Sequence, residues 1–119
     1  MGHPTPHTTS AAQLRITPVP VGADRVRVDV AGEVDLATSG ELGEALADVL
    51  DGRTGTTVEV DFAGVRFMDS SGILVLLRAH TRAAEQGCPL VLTNASRTVR
   101  RVLEITGVHA VLGVPAARG

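Results

Sequence analysis

Lysine is absent from this chain, although the chain carries eleven arginines. The absence excludes a P-loop for nucleotide phosphates, because that loop needs its lysine. It also excludes a lysine Schiff base and a lysine general base. Several common kinds of catalytic and nucleotide-binding site are therefore excluded for this protein.

Aromatic side chains are nearly as scarce, since the chain has two Phe and no Trp or Tyr. Val, Leu and Ala must build the core, and 119 residues with 44 % hydrophobic content are enough for one domain. The net charge is −2 and there is no basic run. Few aromatic rings and no basic run argue against direct nucleic-acid binding and against binding to anionic membranes.

The single cysteine, Cys88, cannot form an internal disulfide, which favours a reducing compartment. No apolar stretch reaches the roughly 18 residues of a membrane span. The first residues are polar and lack the apolar centre of a signal peptide. We expect a cytoplasmic protein with a disordered polar lead at 1–13, a folded domain at 14–114 and a short tail at 115–119.

Alternating apolar residues predict an N-terminal β-hairpin formed by residues 14–21 and 25–31. Pro18 and Pro20 lie in the first of these strands, and proline confines a strand to the edge of a sheet. Gly32 follows the second strand and indicates a bulge or a close backbone contact.

Helices and strands alternate after the hairpin. We expect helices that start near Thr38, Ser70 and Ser96, a short central strand at 58–62, and further strands at 90–92 and 111–112. Thr38 and Glu41 have the spacing of a capping box, and His80 is predicted on the apolar face of the second helix. The order predicts an α/β fold: one domain, with a mixed β-sheet that has an N-terminal edge hairpin and largely parallel inner strands, packed against α-helices.

A pair of hydroxyl groups lies where the central strand gives way to the second helix. Ser70 and Ser71 follow Asp69 and precede Gly72. Free backbone N–H groups and the positive end of the helix dipole favour an anion at such a position, including a phosphate added to a hydroxyl. Taken alone, the pattern is that of an ordinary helix N-cap, which an unmodified Ser70 can also provide.

Three segments resemble a known family in the right order over about residues 14–114. They are 31–36 (AGEVDL), 61–72 (DFAGVRFMDSSG) and 99–107 (VRRVLEITG). The chain resembles the STAS domain, and specifically the small cytosolic anti-sigma factor antagonists of bacteria. The resemblance implies one STAS domain that acts by binding, with no catalytic residue, cofactor or metal.

The resemblance also implies a partner-switching mechanism. The unphosphorylated antagonist would bind an anti-sigma factor, itself an ATP-dependent serine kinase of histidine-kinase-like fold, and so free a sigma factor. The kinase would phosphorylate Ser70 and end the binding, and a serine phosphatase would reverse it. Asp35, Asp69, Ser71 and Gly72 would form the surroundings of the phosphosite and contact the partner. Leu74 departs from the family, since many close members have a second glycine there.

Other functions are weighed against this one. A nucleophilic Ser70 would need a glycine-flanked elbow, and residues 68–72 lack its first glycine. His80 is ten residues away, about 15 Å along a helix, whereas a general base must come within about 3 Å. A phospho-aspartate receiver would need a lysine. A STAS module of another system, such as a stressosome-like scaffold or a lipid-transport accessory subunit, remains the alternative.

Overall fold

The computed structural model describes residues 14–114. Within that range one sheet has four strands in the order β1-β2-β3-β4. The strands are β1 (Leu14–Gly22), β2 (Arg25–Val34), β3 (Thr57–Met68) and β4 (Leu90–Thr93), and the helices are α1 (Ser39–Leu50), α2 (Ser70–Glu85), α3 (Arg97–Thr106) and α4 (Val108–Val111). The predicted lead at 1–13 and tail at 115–119 lie outside the described residues.

The N-terminal hairpin is confirmed, because β1 pairs antiparallel with β2 and lies at the outside of the sheet. Pro18 and Pro20 fall inside β1 opposite Val28 and Val26. Proline has no N–H to donate to a ladder, so a strand with two prolines is suited to a position with a single neighbour.

The inner strands are parallel, as predicted, since β2 pairs with β3 and β3 with β4 in that sense. Each connection passes through a helix, and right-handed crossovers that step in the same direction place α1 and α2 on one face of the sheet. The two helices pack against each other there. The predicted fold class and its aliphatic core are confirmed, with full burial of Val28, Val34, Leu42, Leu46, Val58, Val60, Phe62 and Leu76.

The central strand is longer than predicted. β3 does not stop at Phe62 but follows β2 to its end at Met68. Shifts in the β2–β3 register absorb the extra residues, one of them between Gly32 and Glu33. Gly32 has a φ of 118°, a conformation that glycine adopts without strain. The register shift lies directly after Gly32, for which the sequence predicted a bulge or a close backbone contact.

The strand predicted at 111–112 is wrong. The chain forms the short helix α4 over Val108–Val111 instead. The Leu112 carbonyl accepts a hydrogen bond from the Leu92 N–H of β4 at 3.0 Å. Residues 111–112 nevertheless do not pair with β4 as a strand. A short apolar run does not distinguish a strand from a helical turn by its periodicity.

The residues at which helices start were predicted better than the capping bonds and the buried faces of those helices. Ser96 caps α3, with its side chain accepting a bond from the Val99 N–H at 3.2 Å. Thr38 is at the N-cap of α1, but its side chain makes no capping bond, so the capping box is wrong. His80, predicted on the apolar face of α2, is only half-buried. The buried residues of α2 are Gly72, Ile73, Leu76, Ala79 and Ala83.

Candidate functional site

Parallel pairing brings the ends of two strands together at the candidate site. Val34, the last residue of β2, is paired with Met68, the last residue of β3. The Asp69 N–H then donates to the Val34 carbonyl at 3.1 Å. Asp35 and Asp69 each follow directly after these paired residues, so the two segments singled out in the sequence meet at one edge of the sheet.

Asp69 is the residue that caps α2. Its Oδ1 atom accepts the Ser71 backbone N–H at 2.9 Å and the Ser71 hydroxyl at 2.5 Å. The Gly72 N–H bonds to the Asp69 backbone carbonyl at 3.1 Å. A carboxylate therefore already occupies the position that a helix start offers to an anion. Asp69 and not Ser70 is the N-cap of α2, so the expectation that Ser70 caps the helix is wrong.

The two serines differ in accessibility. Ser71 is half-buried and its hydroxyl is held by Asp69. Ser70 is exposed as the first residue of α2, and its hydroxyl makes no hydrogen bond within residues 14–114. The geometry therefore assigns Ser71 a structural part and leaves the Ser70 oxygen open to an incoming group.

Asp35 shapes the turn between β2 and α1. Its Oδ1 atom accepts the Ala37 N–H at 3.0 Å and the Thr38 N–H at 3.1 Å. Thr38 is fully buried, and its hydroxyl donates to the Glu33 carbonyl at 2.8 Å and accepts the Asp35 N–H at 3.0 Å. Sequence reasoning named Thr38 only as a helix cap and missed its bonds to Glu33 and Asp35, although an aspartate side chain that bonds the backbone two residues on is typical of such turns.

Gly72 allows α2 to start close against the strand ends. A Cβ atom built on Gly72 would lie 2.6 Å from Met68 Cγ and 2.7 Å from Val34 Cγ1. Both distances are far shorter than an ordinary carbon–carbon contact of about 3.5–4.0 Å. Gly72 therefore fixes the distance between the helix that carries Ser70 and the two strands.

Three large apolar side chains are exposed in the segments that flank the strand ends, and of these the sequence analysis singled out only Leu74. Leu36 is 83 % exposed in the turn after β2, Phe67 is 44 % exposed near the end of β3, and Leu74 is 49 % exposed in α2. The signal that could have found Leu36 is its place in a polar turn, where no core position requires a leucine.

A depression lies on the face of the sheet formed by β1, β2 and β3. It has a volume of about 350 Å³, and its lining includes Arg15, Arg27, Asp29 and Asp61. Arg27 Nε donates to Asp29 at 2.6 Å. This hydrogen bond lowers the pKa of Asp29 and raises the pKa of Arg27. Much of the charge in the depression is thus paired internally.

The described part of the chain adds two further findings. No group of three His, Cys, Asp or Glu side chains in residues 14–114 could hold a metal ion. No helix in the same range is long and apolar enough to cross a membrane.

Fold and site define a small α/β domain with a solvent-facing serine at a strand-to-helix junction. The family model described as "Mlab, STAS domain" matches residues 20–113. The chain belongs to the STAS family, and the family recognised from its three segments is confirmed.

Curated relatives are similar over most of the chain. The anti-sigma-B factor antagonist of Listeria monocytogenes serovar 1/2a is 31 % identical over 96 residues, covering 81 % of this chain and 83 % of the relative. The anti-sigma-B factor antagonist of Bacillus subtilis strain 168 is 29 % identical over 91 residues, covering 76 % and 82 % of the two chains.

Solved structures share the fold. An anti-sigma factor antagonist from Mycobacterium paratuberculosis superimposes with a TM-score of 0.70 at 21 % identity, covering 91 % of this chain and 88 % of the other. The anti-sigma factor antagonist SpoIIAA in its unphosphorylated form gives 0.66 at 26 % identity, covering 87 % and 89 %. The Bacillus cell fate determinant SpoIIAA in its phosphorylated form gives 0.65 at 22 %, covering 87 % and 92 %.

Proposed function

We propose that this protein is an anti-sigma factor antagonist whose unphosphorylated form binds an anti-sigma factor and frees a sigma factor. Phosphorylation of Ser70 ends the binding. The observation that carries the proposal is the exposed hydroxyl of Ser70, which makes no hydrogen bond within residues 14–114. The neighbouring Asp69 and Ser71 are hydrogen-bonded to each other. The names of the relatives, anti-sigma-B factor antagonists, support the same function.

The anti-sigma factor is also the kinase in this proposal. It transfers the γ-phosphoryl group of ATP to the Ser70 oxygen, and ADP and the hydroxyl proton leave. A serine phosphatase restores the hydroxyl. SpoIIAA, which shares the fold, has been solved in unphosphorylated and phosphorylated forms, and this supports a phosphorylated state here.

Phosphorylation of Ser70 changes the surface rather than the fold. The phosphate adds about −1.5 to −2 charges. Because Asp69 already holds the Ser71 N–H, the phosphate projects into solvent at the start of α2. The helix dipole favours a negative charge at this end, typically by about 0.3–1 kcal/mol, so the domain stays folded. The added charge therefore affects the binding of a partner to this surface and leaves the fold unchanged.

Phosphorylation by a kinase of the source organism tests the proposal. Each of its anti-sigma serine kinases is purified and incubated with the protein and Mg-ATP, and the product is mapped by mass spectrometry. We expect one phosphate, on Ser70. We expect no label on Ser70→Ala and an unchanged site in Ser71→Ala, the matched control with the neighbouring hydroxyl removed.

Label on another residue, or undiminished label on Ser70→Ala, rejects Ser70 as the switch. Circular dichroism of both variants shows whether a lost label reflects a lost fold. Failure of every kinase to bind or label the folded protein rejects the antagonist function itself.

A STAS module of another assembly is the second candidate function. The matching family model is described by Mlab rather than by the antagonists. Stressosome-like scaffolds and lipid-transport accessory subunits are assemblies of this kind. Stable copurification with the subunits of such an assembly, without phosphorylation of Ser70, would favour it.

A further inference from the structure

Asp69 is hydrogen-bonded to one serine of the pair and not to the other. Its Oδ1 atom accepts the backbone N–H of Ser71 at 2.9 Å and the hydroxyl of Ser71 at 2.5 Å. The hydroxyl of Ser70 makes no hydrogen bond within residues 14–114. Because consecutive Cα atoms are only about 3.8 Å apart, a kinase that reaches Ser70 also comes close to Ser71.

Burial alone does not decide between the two hydroxyl groups. Ser71 is half-buried, so part of its surface faces solvent. Side chains of a helix tilt towards its N-terminus, and those of the first turn therefore extend beyond the end of the helix. Ser70 and Ser71 are both in the first turn of α2. A further feature is needed to decide which oxygen receives a phosphoryl group.

The carboxylate of Asp69 supplies this feature through its charge. An attacking oxygen must come within about 3–3.5 Å of the phosphorus. Because the Ser71 oxygen is 2.5 Å from Asp69 Oδ1, the phosphorus would then lie within about 6 Å of this carboxylate oxygen. The transferring group carries negative charge on three oxygens, and like charges this close repel each other. Attack by Ser71 is therefore disfavoured.

The same hydrogen bond also has the opposite interpretation. A neighbouring base that accepts the hydroxyl proton is one way in which proteins activate a serine as a nucleophile. Ser71 would then be the reactive serine, and removal of Asp69 would make it less reactive.

The phosphorylated product favours the blocking role. On a phosphorylated Ser71 no proton would remain between the serine oxygen and Asp69 Oδ1, which lie 2.5 Å apart. The phosphate would add about −1.5 to −2 charges beside this carboxylate. Asp69 would have to move away and give up its N-cap bond to the Ser71 N–H. No such bond is lost when Ser70 is the acceptor.

We propose that Asp69 is a specificity-determining residue, which directs phosphorylation to Ser70 by excluding Ser71. Asp69 binds the Ser71 hydroxyl and repels the γ-phosphoryl group from it, so the site takes a single phosphate. At Ser70 the bond from the γ-phosphorus to ADP breaks, a bond to the serine oxygen forms, and the hydroxyl proton passes to a base of the kinase. The inference rests on the proposed function and adds the residue that selects the serine.

The first test places Asp69 variants in a Ser70→Ala background, where label on Ser71 is seen by itself. The full chain is incubated with Mg-ATP and the kinase that labels the unmodified protein, and the product is mapped by mass spectrometry. We expect Asp69→Ala to raise the rate of Ser71 labelling at least about tenfold over Ser70→Ala alone. Asp69→Asn removes the charge but keeps a good N-cap, so it should raise this rate even if the alanine variant does not fold.

Ser96 offers the matched control. Its side chain caps α3 by accepting the Val99 N–H at 3.2 Å. Ser96→Ala in the Ser70→Ala background removes a cap of the same kind from a different helix. We expect Ser71 to stay unlabelled in this variant, and circular dichroism confirms that each variant is folded.

The second test keeps both serines and compares Asp69→Asn with the unmodified chain. The ratio of label on Ser71 to label on Ser70 is measured within one sample, so it does not depend on how tightly the kinase binds. We expect this ratio to rise at least about tenfold, and we expect molecules with two phosphates to appear.

Four results overturn the inference while phosphorylation as such stands. They are no label on Ser71 in either folded Asp69 variant, equal Ser71 label in the Ser96→Ala control, and loss of label from both serines in Asp69→Asn, which would make Asp69 a contact of the kinase. The fourth is label on Ser71 in Ser70→Ala that falls when Asp69 is replaced, which would show activation. Absence of label on the unmodified chain removes the proposed function and this inference together.

Discussion

Replacement of Gly72 by alanine tests how α2 is placed against the sheet. The new Cβ atom would lie 2.6 Å from Met68 Cγ, 2.7 Å from Val34 Cγ1 and 2.8 Å from Met68 Sδ. Crowding of this kind in a packed region costs about 1–3 kcal/mol. Alanine is favoured over glycine in a helix by about 1 kcal/mol. We expect Gly72→Ala to lower the free energy of unfolding by about 1 kcal/mol.

Gly43 in α1 offers the matched control. A Cβ atom built there would lie 3.5 Å from Val75 Cγ1, which is an ordinary contact. Gly43→Ala should therefore keep the helix gain and raise the unfolding free energy by about 1 kcal/mol. The two variants make the same chemical change and should differ by about 2 kcal/mol, because only one of them meets a close neighbour.

Urea titration gives the two unfolding free energies, and thermal melting gives a second reading. At about 4 °C per kcal/mol, the variants should differ by about 8 °C in Tm. Equal stabilisation by both alanines would refute the argument that Gly72 is required by the approach of α2 to Val34 and Met68. A shifted α2 should also slow phosphorylation of Ser70, whereas Gly43→Ala should not.

Three further changes have defined outcomes. Asp69→Ala should lower the unfolding free energy in urea by about 1 kcal/mol by removing the N-cap, and an equal loss in Asp69→Asn would contradict this cause. Thr38→Val should cost about 1–3 kcal/mol in the same assay, because the Glu33 carbonyl and the Asp35 N–H lose the hydroxyl between them; Thr38→Ser should restore most of it. Ser70→Asp should leave the unfolding free energy within about 0.5 kcal/mol while weakening kinase binding, and a large loss of stability would count against a switch confined to the surface.

The fold was predictable where the signal is local. Pro18 and Pro20 indicate an edge strand because proline has no backbone N–H to donate to a second neighbouring strand. Ser96 indicates the start of α3 because its side chain can accept a hydrogen bond from the Val99 N–H three residues later. The strand predicted at 111–112 failed for the opposite reason, since two apolar residues fit a helical turn as well as a strand.

The candidate site was predictable in position but not in detail. Capping signals and family segments located Ser70 at the start of α2. They did not reveal that Asp69 takes the capping bonds, because Asp69, Ser70 and Ser71 are all suitable cap residues. Which one caps depends on where the chain enters the helix, and the Asp69 N–H is fixed by the Val34 carbonyl of another strand.

Local patterns in the sequence were sufficient to predict the order of helices and strands as far as α3, the edge strand β1 and the location of the serine pair. These follow from side-chain periodicity and from proline and capping chemistry, which act over a few residues. The folded structure was needed to show that Ser70 stays open while Ser71 is held, and that Gly72 must lack a side chain. Those outcomes depend on distances between atoms of β2, β3 and α2, and chain folding sets these distances when parallel strands pair side by side.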